Sequence, residues 1–179
     1  MTLENLRECF SNALEDEKKG KKHKGILAIK PNAKEAEEYV IKAKRNLELC
    51  KVCRDNSFDY KLPEEWFYTL YYCGLAILSK FGIESRSQRC TGMFLSYIRD
   101  KKLIEYDEEF IKRIMVYREK EQKSDVDKRE NARYSSSIKI KEIEKDYDNM
   151  MNLCKEAISQ CEDIVFSDKS FKIPKELYN

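Results

Sequence analysis

The sequence predicts an all-α protein: an antiparallel bundle of four main helices, with a short extra helix and an N-terminal helical extension. Three observations support this fold class. The 179 residues include only 5 Gly and 3 Pro, which is few for the many turns of a β-sandwich or barrel. Charged residues make up 38% of the chain, as is typical of long solvated helices. Apolar residues recur three and four positions apart, which is the helical period.

The N-terminal extension, residues 1–31, is predicted to comprise a helix and a basic linker. The helix covers residues 2–18, where apolar side chains share one face: Leu3, Leu6, Phe10 and Leu14. The linker, residues 18–30, is rich in lysine and holds the single histidine of the chain, His23. We expect a solvated connector there, and an RNA-contacting arm is the alternative.

The bundle itself is predicted to occupy residues 32–166. Asn32 is suited to cap its first helix, with Glu35 three residues later, and the apolar stripe of this helix continues to about Arg54. This pattern predicts the first long helix of the bundle.

The second bundle helix is the most apolar one and is expected at the centre. Pro63 suits its first turn, and Gly82 suits its C-terminal end. Its longest apolar run, 66–78, is shorter than the roughly 20 residues that cross a bilayer. We therefore predict a buried helix and no membrane span.

The starts of the next two helices are predicted from their capping residues. Ser85 with Gln88 resembles a capping box that opens the next helix, and Asp107 is suited to cap a shorter one. The last long helix begins after the serines at 135–137 and has the most regular apolar period. Residues 167–179 are predicted to form a poorly ordered tail.

Charge and cysteine content limit the class of protein. The net charge is only +2, so the overall field gives no strong attraction to nucleic acid or anionic membranes. The first ten residues carry acids and no cleavable apolar segment, which favours a cytoplasmic protein. Seven cysteines are an odd number, and their apolar positions favour reduced core thiols over a disulfide framework.

Few residues offer catalytic or metal chemistry. Cys50 and Cys53 form a C-x-x-C pair, but a zinc site of this type needs a second pair of ligands. His23 is isolated among lysines, so no Cys–His or Ser–His pair is visible, nor is there a glycine-rich phosphate loop. We therefore expect no metal and no cofactor, and most enzyme classes are disfavoured.

Two basic clusters are candidates for phosphate binding. Arg86 and Arg89 lie near the start of one helix. Arg129 and Arg133 are four residues apart and share a helix face beside Tyr134, an arrangement that can hold a phosphate and a base. The alternative is a solvated face whose arginines pair with neighbouring acids: Asp125, Asp127 and Glu130.

Tyrosines on the central helix are a further candidate. Tyr68, Tyr71 and Tyr72 can line a pocket, but rings at helical spacing more often belong to a core or a dimer seam. Both interpretations stay open at this point.

The order of these segments resembles the HEPN superfamily, in particular the prokaryotic HEPN-domain proteins found beside minimal nucleotidyltransferases. The resemblance covers about residues 33–165. It rests on three stretches: AKEAEEYVIKAKRNLELCKVC, EEWFYTLYYCGLAILSKFGIESRSQRCTGMF and RENARY. The second contains S-x-x-x-R-C-T, and the third matches R-x-x-A-x-Y through Arg129, Ala132 and Tyr134.

The resemblance implies a bundle of four to five helices in a homodimer whose polar motifs face each other. Many members are ribonucleases, often toxins of toxin–antitoxin pairs or parts of defence systems. Their motif is an arginine followed after four to six residues by a histidine, which serves in proton transfer. Here Arg129 matches the arginine, but Arg133 and Tyr134 follow it, and Gln88 stands where relatives often carry a histidine.

This departure favours binding over cleavage, because a guanidinium stays protonated at neutral pH and cannot accept a proton. We expect a toxin–antitoxin or RNA-related stress component that binds RNA or a nucleotide and works with a nucleotidyltransferase-type partner. The alternatives are a metal-independent ribonuclease with an altered site and a non-catalytic dimeric adaptor. The site residues implied by the resemblance and the basic clusters are Arg129, Asn131, Arg133 and Tyr134, supported by Arg86 and Arg89.

Overall fold

The computed structural model describes residues 2–115 and 140–177, and these residues are predominantly helical, so the all-α prediction is confirmed. Two strands, β1 (Ile26–Ala28) and β2 (Ile83–Ser85), form a small antiparallel sheet, and 3-10 helices cover Asp59–Lys61 and Lys175–Leu177. The α-helices are α1 (Leu3–Lys18), α2 (Ala33–Asp55), α3 (Leu62–Phe81), α4 (Gln88–Asp100), α5 (Glu108–Ile114) and α6 (Ile140–Val165).

Helix α3 is the centre of the molecule, as its composition predicts. It packs against α2, α4, α5 and α6, and nearly all of its last three turns are buried. Gly82 ends the helix with φ +77°, a left-handed conformation that favours glycine. A Cβ atom at this position would lie 2.6 Å from the carbonyl oxygen of Ile29, so the close approach of the linker also requires glycine.

Helix α2 packs against both α3 and α6. The Asn32 side chain accepts a hydrogen bond from the backbone N–H of Glu35 at 3.1 Å, which confirms the predicted cap. Lys44 pairs with Glu162 of α6 at 2.6 Å on the flank of α2. The side chains that α2 buries against its neighbours recur at helical spacing: Ala36, Val40, Ala43, Leu47, Cys50 and Cys53.

The predicted capping box of α4 is wrong by two residues. The N-cap is Ser87, whose side chain accepts a hydrogen bond from the backbone N–H of Cys90 at 3.3 Å. Ser85 instead belongs to β2, and its hydroxyl lies 2.7 Å from that of Thr91. Pairing of β2 with β1 holds Ser85 in extended backbone, so the helix can begin only after it.

The basic linker is a solvated connector only in part, which corrects the prediction for residues 18–30: its lysines are exposed, but His23, Gly25 and Ile26 are buried. The segment Ile26–Ala28 pairs with Ile83–Ser85, and Ile26 is fully buried. His23 is only 2% exposed. The reason is that ILA is apolar enough to form a strand once the end of α3 offers a partner, which a local pattern does not reveal.

The C-terminal tail is also more ordered than predicted. The ring of Phe171 stacks on that of Phe81 with centroids 4.6 Å apart. The Tyr97 hydroxyl donates to the Glu176 carboxylate at 2.6 Å, and Arg7 donates from Nε to the Glu176 carbonyl at 2.8 Å. Leu177 is buried, so these residues join the tail to α1 and α4.

The prediction of reduced core thiols is wrong for two of the seven cysteines. Cys9 of α1 and Cys90 of α4 form a disulfide, with Cα atoms 5.9 Å apart. The other five cysteines are buried thiols outside this disulfide. The disulfide ties the N-terminal helix to the bundle.

Within the described ranges, no helix combines the length and apolar character that a bilayer span requires.

Candidate functional site

Four of the six predicted site residues lie outside the described part of the chain. Arg129, Asn131, Arg133 and Tyr134 fall in residues 116–139, as do the acids proposed as their alternative partners. Arg86 and Arg89 are described and lie at the N-terminal end of α4.

Arg86 is exposed between β2 and α4, and its side chain forms an ion pair within the protein. Its Nε donates to the Glu84 carboxylate at 2.8 Å, while its backbone N–H donates to the Gly25 carbonyl at 3.0 Å. Because this ion pair is solvent-exposed, it contributes little to stability and leaves the guanidinium able to contact a phosphate.

Arg89 lies in the first turn of α4, where backbone N–H groups make the helix end positive. It is half-buried, and its side chain forms no ion pair with another residue in the described ranges. Two arginines at a helix N-terminus favour an anion, so the two residues stay candidates for a phosphate contact.

His23 lies beside the same segment, which the sequence interpretation missed. Its Nε2 is 3.3 Å from the Glu84 carboxylate, and its Nδ1 is buried without a hydrogen-bond partner in the described structure. Glu84 therefore holds the imidazole and the Arg86 guanidinium together. The sequence signal for this contact is the apolar tripeptide Ile26–Ala28, which begins three residues after His23 in a lysine-rich stretch.

A stack of tyrosine rings crosses from α3 to α2, and this is the main feature that the structure adds. The ring centroids of Tyr68 and Tyr72 are 5.9 Å apart, and those of Tyr72 and Tyr39 are 6.3 Å apart, in stacked orientation. The Lys42 ammonium lies 5.2 Å from the Tyr72 ring centroid and 5.9 Å from that of Tyr39. We call these four residues the tyrosine stack.

The three rings of the tyrosine stack are half-buried, so they are fixed by packing yet reach solvent. Burial raises the pKa of Tyr72, and burial together with the carboxylates of Glu35 and Glu84 raises the pKa of Tyr39. Both hydroxyls are therefore protonated at neutral pH and can donate hydrogen bonds.

A groove of about 330 Å³ lies on α2 beside the tyrosine stack. It combines one aromatic edge with two carboxylates and two cations. This mixture suits a ligand that carries both a ring and an anionic group. The described lining residues are Glu35, Glu38, Tyr39, Ile41, Lys42 and Arg45.

The sequence interpretation named Tyr68, Tyr71 and Tyr72 but not Tyr39, Lys42 or Arg45. Tyr71 turns toward the core and stacks on Phe67, with centroids 5.8 Å apart. The contact between Tyr39 and Tyr72, and the packing of Tyr71 on the core instead of in the stack, depend on how α2 is rotated against α3. This rotation cannot be predicted from a local sequence pattern.

The C-x-x-C pair has no features of a redox or metal centre. Cys50 and Cys53 are both buried, and burial raises the pKa of both thiols. The thiolate that such chemistry requires is therefore disfavoured. In the ranges that the structure describes, no cluster of three or more His, Cys, Asp or Glu side chains has the geometry to hold a metal ion.

Comparison with protein-family models, with curated proteins and with solved structures found no match to this chain.

Proposed function

We propose that the protein binds RNA or a nucleotide through the tyrosine stack, as an HEPN-like component of a toxin–antitoxin or RNA-related stress system. The observation that carries this proposal is the stack of three half-buried tyrosine rings with the Lys42 ammonium over two of them. Proteins that bind single-stranded nucleic acid use such rings for bases and neighbouring cations for phosphate.

Further basic residues are part of the proposed binding surface. Arg86 and Arg89 supply phosphate contacts at the N-terminal end of α4, and Arg45 supplies a cation in the groove. The resemblance of RENARY to the HEPN motif adds Arg129, Arg133 and Tyr134 as phosphate and base contacts, with Asn131 to orient the phosphate. We propose that the protein acts in the cytoplasm with a nucleotidyltransferase-type partner.

A direct test is fluorescence anisotropy with labelled single-stranded RNA and, separately, a labelled nucleotide. Loss of one base stack costs about 1–3 kcal/mol, so Tyr72→Ala should weaken binding roughly tenfold or more. Lys42→Ala should weaken it in a salt-dependent way. Tyr60→Ala and Lys51→Ala are matched controls, because both residues are exposed and lie near the other end of α2. Binding that is absent, or equal in all four variants, would overturn the proposal.

The same samples distinguish binding from cleavage. RNA incubated without metal should be retained and stay intact. Fragments that disappear with Arg129→Ala would replace the binding proposal with the ribonuclease alternative.

A further inference from the structure

The groove beside the tyrosine stack has a polarity along α2. Its two carboxylates, those of Glu35 and Glu38, lie on the first two turns of the helix, whereas its two cations, Lys42 and Arg45, lie on the next two turns. Tyr39 lies between the two groups. Seven positions separate Glu35 from Lys42, which is about 10 Å along a helix axis. The groove therefore has an acceptor end, an aromatic middle and a cationic end.

Phosphate binding explains the cationic end of this groove but not its carboxylates. A carboxylate repels a phosphate and has no proton to donate to it, so it needs an N–H or O–H donor from the ligand. In a nucleotide the ribose hydroxyls lie between the base and the phosphate, whereas the donors farthest from the phosphate are the N–H groups on the edge of the base. The acceptor end of the groove therefore fits the edge of a base whose phosphate contacts Lys42.

Glu35 is held in place by the end of α3. The hydroxyl of Ser79, which is only 2% exposed, donates to Glu35 Oε2 at 3.2 Å. Each carboxylate oxygen accepts more than one hydrogen bond, so Ser79 fixes the orientation of the group and leaves both oxygens able to bind a ligand. Glu38, by contrast, is exposed and lies 4.0 Å from the ammonium of Lys34, a weak surface pair. Glu35 is therefore the better oriented of the two carboxylates.

Glu35 and Tyr39 are placed to contact the same base. They are four positions apart and share one face of α2. Side chains of a helix lean toward its N-terminus, so the Tyr39 ring lies over the turn that carries Glu35. Burial raises the pKa of Tyr39, and the carboxylate of Glu35 adds to this effect, as a nearby negative charge does. A base that stacks on Tyr39 can therefore present its edge to Glu35.

The two oxygens of a carboxylate discriminate between the bases. Guanine carries two adjacent donors on its Watson–Crick edge, N1–H and the 2-amino group, and these match the two oxygens. Adenine and cytosine carry one amino group beside a ring nitrogen that accepts, and uracil carries one N–H between two carbonyl oxygens. Each of these three bases sets an acceptor against the carboxylate, which leaves a hydrogen bond unmade in a partly buried site.

From this arrangement we infer that Glu35 recognises the base, and that the RNA or nucleotide bound at the tyrosine stack is recognised through guanine. The base stacks on Tyr39, its Watson–Crick edge donates two hydrogen bonds to Glu35, and its phosphate contacts Lys42. Ser79 is a positioning residue that orients the carboxylate. The inference rests on the proposed function, because it specifies which base the same site binds.

Fluorescence anisotropy with short labelled single-stranded RNAs tests the inference. The RNAs alternate uridine with guanosine, inosine, adenosine or cytidine, and inosine differs from guanosine only in lacking the 2-amino group. The wild type should bind the guanosine RNA about fivefold or more tightly than the adenosine and cytidine RNAs, with the inosine RNA between them. In Glu35→Gln an amino donor replaces one acceptor oxygen, so the guanosine preference should disappear. The amide keeps an oxygen that accepts from Ser79, so this variant should have wild-type helicity by circular dichroism.

Glu38→Gln is the matched control, because it makes the same chemical change in the same groove and should keep the guanosine preference. The ratio of dissociation constants is the readout, since losing a negative charge raises the affinity for every RNA. Equal binding of the RNAs by the wild type, with Tyr72→Ala still weakening each of them, would overturn the inference and leave the proposed function standing. A preference that survives Glu35→Gln, or is lost in Glu38→Gln, would also overturn it. Failure to bind any of the RNAs would overturn both proposals.

Discussion

The imidazole of His23 lies against the carboxylate of Glu84, with Nε2 3.3 Å from Oε1. The His23 side chain is completely buried, whereas Glu84 is partly exposed and also binds Arg86. This contact joins the N-terminal linker to the strand that precedes α4, so the linker is part of the folded core.

We predict that His23→Ala lowers the free energy of unfolding by about 2–4 kcal/mol, because it empties a buried site and removes one of the two partners of Glu84. Urea denaturation followed by circular dichroism measures the change. Lys22→Ala, at an exposed neighbouring position, should stay within about 0.5 kcal/mol of the wild type. Equal stability of the two variants would mean that the linker is solvated.

The Cys9–Cys90 disulfide should stabilise the isolated protein by about 2–4 kcal/mol, because it joins residues 81 positions apart in sequence. Dithiothreitol should lower the melting temperature of the wild type. A variant with both Cys9→Ala and Cys90→Ala should melt at the same temperature with and without reductant. In a reducing cytoplasm we expect the dithiol form. A wild type insensitive to the reductant would contradict this bond.

Two glycines with positive φ should respond differently to alanine. Gly82→Ala should destabilise the protein by several kcal/mol, because the new Cβ meets the Ile29 carbonyl and the Pro31 ring in addition to the strain of φ +77°. Gly20, with φ +67°, has no atom within 4 Å of such a Cβ, so Gly20→Ala should cost only about 1 kcal/mol. Similar losses of stability in both variants would show that Ile29 does not pack on the end of α3.

Acid should weaken the attachment of the tail. The hydrogen bond from Tyr97 lowers the pKa of the Glu176 carboxyl below its usual 4.5, with a smaller contribution from Lys101. Burial and the carboxylate in turn raise the pKa of Tyr97 to about 12. Because the folded-state pKa of Glu176 is lowered, its stabilising effect is present above pH 4.5 and is lost as the pH falls through the lowered value.

NMR titration of the Glu176 side-chain carbon tests this assignment. We expect a midpoint below 4.5 in the wild type and a return toward 4.5 in Tyr97→Phe, with a smaller change in Lys101→Ala. A midpoint that does not move in Tyr97→Phe would show that the tail is not bound to α4 in solution.

Local patterns predicted the helices well, because caps and apolar stripes are local. Asn32, Gly82 and Asp107 act at the helix ends where the sequence places them. The missed features all depend on contacts between distant segments. The strands of three residues are too short for a periodic signal, and their pairing moved the start of α4 from Ser85 to Ser87.

The candidate site was predictable only in part, for the same reason. Tyr68 and Tyr72 are recognisable as a pair on one helix, but Tyr39 joins them from α2 only through tertiary packing. The disulfide likewise needs Cys9 and Cys90 to meet between α1 and α4. RENARY lies outside the described residues, so its role stays a prediction.

The central claim is that RNA contacts the tyrosine stack, and ultraviolet crosslinking followed by peptide mass spectrometry tests it most directly. With single-stranded RNA bound, crosslinked nucleotides should appear on the peptides that contain Tyr39, Tyr68 and Tyr72, and an excess of unlabelled RNA should remove them. Tyr72→Phe, which keeps the ring, should still crosslink, whereas Tyr72→Ala should reduce the yield. Crosslinks confined to other helices, or none at all, would contradict the proposed site.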